Sequence, residues 1–123
     1  MAQNRYQRIQ AALEELVDGT PDIKGAALVS DDGLVIGSVL HADVNEDSVG
    51  GMASVLQSLG FRVTNELELG EMDQILIRAK QGNVMMVGVG EGALLSVLMS
   101  RNAKLGLVFL DVGYAVKNLA EMI

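Results

Sequence analysis

Few residues in this chain are equipped for catalysis. Its one histidine, His41, has no cysteine to work with anywhere in the sequence, and an ordinary zinc ligand set or a Cys–His or Ser–His nucleophile pair needs more material than that. His41 falls in a polar stretch, His41 to Asn45, and reads as a solvated loop residue. The adjacent carboxylates Glu14 with Glu15, Asp31 with Asp32 and Glu46 with Asp47 have the right chemistry for general acid–base work. Each pair nevertheless sits on a helix face, in a turn or at a helix start, where acidic side chains are favoured anyway. The run Gly88-Val89-Gly90-Glu91-Gly92 is the nearest thing to a phosphate cradle. A dinucleotide cradle joins a strand to a helix whose N-terminus holds the anion, whereas these glycines join two strand-like runs, so a hairpin turn is the reading. No Gly-Lys-Ser or Gly-Lys-Thr occurs, and without a P-loop any dealing with nucleotides must run through a partner. Neither a metal nor a cofactor is implied.

Composition narrows the classes further. With 123 residues, 50% of them hydrophobic, the chain fits one domain over residues 1–123 with material for a real core. Sixteen acidic against nine basic residues give a formal charge of −7, the wrong sign for neutralising the phosphates of DNA or RNA. The longest apolar runs are about a strand long, short of the roughly 20 residues needed to cross a bilayer. The opening Met-Ala-Gln-Asn-Arg has no signal-peptide core, so the expectation is a cytoplasmic protein with no nucleic acid partner and no membrane insertion. Aromatic residues are only 3% while Met is plentiful at seven, a mixture that packs by adaptable side chains.

The elements that must carry any site are legible from periodicity. Val84 to Val89 and Leu94 to Met99 flank Gly90-Glu91-Gly92-Ala93, a β-hairpin signal. Alternate residues of a strand face opposite ways, and here both sets are apolar, Met85, Val87 and Val89 against Val84 and Met86. Both faces must be covered, which puts this hairpin at the centre of a sheet with helices above and below. Before it, Gly25 to Ser30 and Leu34 to Val39 flank Asp31-Asp32-Gly33 as a second hairpin. Glu71 to Lys80 reads as a strand with Ile75, Ile77 and Ala79 on one face and Met72, Gln74, Leu76, Arg78 and Lys80 on the other. Only half of it is strongly apolar, so it should be an edge.

Three helices complete the pattern. Asn4 to Val17 carries Tyr6, Ile9, Leu13, Leu16 and Val17 at helical spacing, with Gly19 able to take a left-handed cap and Pro21 blocking continuation. A long helix from about Glu46 to Glu68, capped by Asp43 or Asn45, has Val49, Met52, Ala53, Leu56, Leu59, Gly60, Val63 and Leu67 in a stripe about 120° wide that is expected to face the core. Gly51, Val55, Ser58 and Arg62 line one flank; Phe61 stands on the other with Gln57 and Thr64. Gly50, Gly51 and Gly60 each cost about 1 kcal/mol relative to Ala in a helix. The last helix, with Asn102 as cap, repeats Leu105, Val108, Val112, Ala115, Leu119 and Met122. Its first half also bears Leu107, Phe109, Leu110 and Tyr114, apolar nearly all round, and so should be sandwiched between the sheet and the first helix.

This order of helix, hairpin, long helix, three strands and helix resembles the Roadblock family, small domains named for a dynein light chain. Gly25 to Gly37, Asn83 to Leu98 and Asn102 to Val108 look most like its pattern. The resemblance implies an α/β/α sandwich: a five-stranded antiparallel sheet of order 2-1-5-4-3, one long helix on one face and two terminal helices on the other. It also implies a homodimer in which third strands pair edge to edge and long helices lie side by side. Gly51, Val55, Ser58 and Arg62, with Met72, Gln74, Leu76 and Arg78 of the edge strand, would then form the dimer interface. Bacterial members resembling this one bind a Ras-like small GTPase, and in the gliding-motility system the dimer stimulates GTP hydrolysis. Eukaryotic relatives act as scaffolds.

Phe61, with Gln57, Asn65 and Glu68 around it, is the candidate partner-binding surface, because aromatic residues favour interface centres. The chain departs from the gliding regulator in having Phe61 where a polar residue is usual. The leading expectation is a non-enzymatic homodimer that modulates a small GTPase; the alternative is a structural scaffold with no effect on nucleotide turnover.

Overall fold

Asn4 closes a capping box: its Oδ1 accepts the Gln7 N–H at 2.8 Å while Gln7 Oε1 accepts the Asn4 N–H at 3.1 Å. Helix α1 (Arg5–Gly19) starts there. The computed structural model describes residues 3–123. Gly19 does not take the left-handed cap expected of it. The helix ends on Thr20 in the extended region, φ −129° and ψ 97°, so that the chain feeds directly into the first strand, and the positive-φ glycines are Gly33, Gly70 and Gly90 instead.

The strands β1 (Ile23–Ser30), β2 (Val35–Val39), β3 (Gln74–Arg78), β4 (Gly82–Val89) and β5 (Ala93–Ser100) form one sheet of order β2-β1-β5-β4-β3, antiparallel throughout. The expected central hairpin is there, with β5 paired along its length to β4 (Met86 opposite Ser96) and to β1 (Ala26 opposite Val97). Strand β3 pairs only with β4 and is an edge, as expected. Asp31-Asp32-Gly33 makes the first turn, Gly33 at φ +87°, and the Ser30 hydroxyl donates to Asp32.

The two faces of the sheet are covered very unequally. Met85, Val89, Leu95, Val97 and Met99 pack against Ile9, Leu13 and Leu16 of α1 and against Val108, Val112 and Leu119 of α3 (Leu105–Ala120) in a cluster of sixteen buried residues. Met86, Leu94, Ala27 and Val29 meet Ala53 of α2 (Glu46–Glu66) in a cluster of five. Helix α2 is therefore held by a much smaller core than the α1–α3 layer. Its N-terminus is capped by Asn45, whose side chain accepts the Ser48 N–H at 3.0 Å, and Asp43 pairs with His41 instead.

Two expectations for the last helix are corrected. Asn102 is not its cap. Lys104 holds that position without a side-chain bond, and its N–H is satisfied at 2.9 Å by Asp22 Oδ2, from the segment leading into β1. A residue distant in sequence does the capping because β1 and β5 are neighbours and bring Asp22 to the end of β5; the Ser100 N–H donates to the Asp22 carbonyl at 2.9 Å. Nor is α3 sandwiched. Helix α1 lies beside it on the same face of the sheet rather than over it, so Leu107, Leu110 and Tyr114 stay exposed, as does Tyr6 of the first helix.

Candidate functional site

Helix α2 lies across the sheet, and the space beneath it depends on two of its glycines. A Cβ on Gly50 would stand 2.3 Å from the Gly33 carbonyl oxygen, so the helix rests directly on the first hairpin turn. At Gly60 a Cβ would stand 2.3 Å from Met72 Sδ, and the missing side chain lets Met72 fold under the helix. Gly51 has nothing within 4 Å of its would-be Cβ. Two of the three unfavourable glycines thus serve close approach to the rest of the chain, and only Gly51 leaves a smooth spot on the outer surface.

The 120° stripe assigned to the core is only partly there. Ala53 is buried and Val49, Leu56 and Gly60 are half-buried, but Met52, Leu59, Val63 and Leu67 are exposed. A helix laid on one sheet buries an arc narrower than the stripe, and with α2 seated on Gly50, Ala53 and Gly60 the residues rotated some 100° away from Ala53 face solvent. Met52, Val55, Leu59 and Val63 make a continuous apolar side. At one end it borders a hollow of about 380 Å³ lined by Gly51, Met52, Val55 and Leu56. At the other it runs into a hollow of about 320 Å³ where Leu59, Val63 and Gly60 meet Met72 and Ile75. From there the surface reaches β3, whose Ile77 is also exposed. Contiguous apolar surface of this kind marks an interaction site.

Of the residues assigned from sequence to the dimer contact, Gly51, Val55, Ser58 and Arg62 are all exposed and point away from the sheet. Gln74 and Arg78 on β3 are exposed, while Met72 and Leu76 are half-buried, Leu76 against the α1–α3 core. Arg62 Nη2 lies 3.5 Å from Glu66 Oε1, a surface i,i+4 pair. Among the partner-binding candidates, Phe61 is 53% exposed and sits roughly opposite Met52 and Leu59 around the helix. Gln57 is half-buried, and Asn65 and Glu68 are exposed.

Glu68 carries a backbone task that its sequence did not announce. Its φ is +53°, the left-handed conformation in which a helix end usually places Gly. The Leu69 N–H reaches the Thr64 carbonyl at 2.8 Å and the Glu68 N–H reaches that of Asn65 at 3.2 Å, closing the end of α2.

No group of three or more His, Cys, Asp or Glu that could hold a metal occurs among the described residues. His41 Nδ1 pairs with Asp43 at 2.6 Å on the surface. Glu46 accepts from Ser38 Oγ at 3.0 Å, tying β2 to the start of α2. The Ser96 hydroxyl is buried without a partner among the described residues, but its cross-strand neighbours are Ala27 and Met86, neither of which can take its proton. The Gly88–Gly92 run is a hairpin turn with Gly90 at φ +61°. Among the described residues no helix is long and apolar enough to cross a membrane.

A small antiparallel sheet with a long helix on one face and two helices on the other defines a three-layered α/β/α class of domain. The chain belongs to the Roadblock/LC7 domain family, whose model matches residues 9–99. An uncharacterized protein of Methanocaldococcus jannaschii is 36% identical over 103 residues, 84% of this chain and 90% of its own length. Among solved structures, Myxococcus xanthus MglB superposes with a TM-score of 0.90 at 20% identity, covering 99% of this chain and 92% of that one. An MglB structure described as having a tetrameric arrangement gives 0.85 at 21% identity over 99% and 92%. At such identities the likeness is one of fold.

Proposed function

We propose that this chain is a homodimeric, non-enzymatic regulator that docks a Ras-like small GTPase in the cytoplasm and modulates its hydrolysis cycle. The observation that carries the reading is the division of α2 into two exposed surfaces. Met52, Val55, Leu59 and Val63 continue toward the free edge of β3, which suits pairing with a second copy through helix and strand together. Phe61, on the opposite side of the helix, stays available when that contact forms. Two copies then present one platform with a Phe61 at each flank, and one GTPase can straddle it.

No Gly-Lys-Ser or Gly-Lys-Thr of a P-loop occurs in the sequence, so any acceleration comes from ordering the GTPase's catalytic groups or from an inserted Arg. Arg62 is the Arg nearest Phe61 in sequence, and it is already paired with Glu66. The second reading is a scaffold that binds without changing turnover.

The experiment is a titration with a short Ras-like P-loop GTPase of the same organism, followed by single-turnover GTP hydrolysis with and without this protein. Binding at one GTPase per dimer that Phe61→Asp weakens at least about tenfold, with the dimer intact, supports docking. Wild-type affinity in Phe61→Asp would remove the platform from the proposal. Binding without a change in hydrolysis rate would leave the scaffold reading.

A further inference from the structure

The face of the molecule farthest from α2 carries a second unpartnered surface. Leu107, Leu110 and Tyr114 project from one side of α3, exposed at 57, 54 and 61%. They span eight residues, roughly 10 Å of helix. Beside them, between α3 and the C-terminal half of α1, lies a hollow of about 240 Å³ lined by Ala12, Glu15, Leu16, Asp111, Tyr114 and Asn118 among others. The Thr20 hydroxyl, itself buried, donates to Asp111 Oδ2 at 2.7 Å and fixes that carboxylate in the wall. No Lys or Arg lines the hollow. The surface is therefore an apolar ridge running along an acidic cleft between two helices, built on the well-packed side of the sheet.

We infer that this cleft receives a basic amphipathic helix from a partner protein, its apolar side on Leu107, Leu110 and Tyr114 and its Lys or Arg side chains over Glu15 and Asp111. Two turns of helix match the length of the ridge, and an apolar stripe laid into a groove is a recurrent mode of recognition. Charge decides among occupants. A second copy seated face to face would bring Glu15 and Asp111 toward the same carboxylates, and like charges facing one another across an interface are repelled. An anionic membrane is disfavoured in the same way, while a cationic helix gains from every carboxylate it covers. The surface is remote from α2, so the inference stands apart from the GTPase reading.

The test uses the full chain and a synthetic Leu/Lys peptide of about 18 residues, long enough to fold when bound, with apolar residues at helical spacing. Two controls accompany it: the same composition scrambled, and the same spacing with Glu in place of Lys. Calorimetry and amide chemical-shift mapping should give saturable binding with shifts confined to Ala12–Thr20 and Leu107–Asn118. Affinity should fall at least tenfold in Leu110→Ser, in Leu107→Ser and in Glu15→Lys, and at least tenfold for either control peptide. Since all three substituted side chains are exposed, the fold should tolerate their loss, and unchanged melting would confirm it. Equal binding of the scrambled peptide, shifts on α2, or indifference to the substitutions would overturn the proposal. So would loss of an oligomer in Leu110→Ser, which would assign the face to a second copy, or Leu110-dependent sedimentation with phosphatidylglycerol vesicles, which would assign it to a membrane.

Discussion

Truncating Leu59 to Ala tests the α2 contact quantitatively. Leu59 is 55% exposed in the isolated chain, so more than half of its apolar surface is available for burial against a partner copy. Removing three carbons forfeits about 2.4 kcal/mol at roughly 0.8 kcal/mol per buried carbon. The exposed share of that is about 1.3 kcal/mol per chain if the dimer covers it fully. A symmetric contact uses the residue twice, giving roughly 2.6 kcal/mol, and at 1.4 kcal/mol per decade the dissociation constant should rise on the order of 70-fold. The share already buried within the chain costs about 1 kcal/mol of folding stability, so the variant stays folded. Sedimentation equilibrium over a dilution series reads the constant directly, and Phe61→Ala, on the opposite side of α2, should shift it by less than about threefold. A wild-type chain that remains monomeric at every concentration, or a Leu59→Ala variant that dimerises like wild type, would refute the assignment of this side of α2 to a second copy.

Thermal unfolding checks the remaining predictions. Gly50→Ala should destabilise by roughly 1–2 kcal/mol, because overpacking against the Gly33 carbonyl outweighs the helix propensity gained, whereas Gly51→Ala should gain about 0.5–1 kcal/mol in the unoccupied space around it; a rise in Tm for both would mean that Gly50 is not held against the turn. Glu68→Gly should raise Tm by a few degrees, since it relieves a left-handed residue worth about 1 kcal/mol, and Glu68→Val should lower it. Asp22→Ala should cost about 1 kcal/mol by leaving the Lys104 N–H uncapped, while Asn102→Ala should cost nothing measurable; the reverse ranking would restore Asn102 as the cap.

Much of the architecture was legible because it rests on local chemistry. Alternating apolar residues on both faces of Val84–Met99 put that hairpin at the centre, the half-apolar Glu71–Lys80 announced an edge, and Gly33 marked its turn. Asn45, one of the two caps offered for the long helix, caps it by a bond to a residue three positions on, a distance that sequence spacing can read. The two misread faces share a cause. Periodicity reports which residues are apolar, not whether the chain itself or something else covers them, so the stripe from Val49 to Leu67 reads as core across its whole width. Its excessive width for a helix resting on one sheet was the available signal. The same applies to α3, where an all-round apolar first half meant an unpartnered surface rather than a second intramolecular layer.

What the sequence determined by itself is therefore the set of elements and the two-sided sheet, since hydrophobic period and turn residues act within a few positions of one another. It also determined that no site here can use a cysteine, because a residue type that does not occur cannot be assembled by any fold. Tertiary structure decided how far each helix rolls on the sheet. Gly50 and Gly60 bring α2 down onto the Gly33 turn and Met72, and that seating turns Leu59 outward on one side and leaves Phe61 on the other. It also decided that Asp22, eighty-two positions away, caps α3, because the pairing of β1 with β5 brings the two ends together. Contacts between distant segments depend on packing geometry that no local pattern encodes, and on α2 and α3 those contacts settle which apolar side chains remain for a partner.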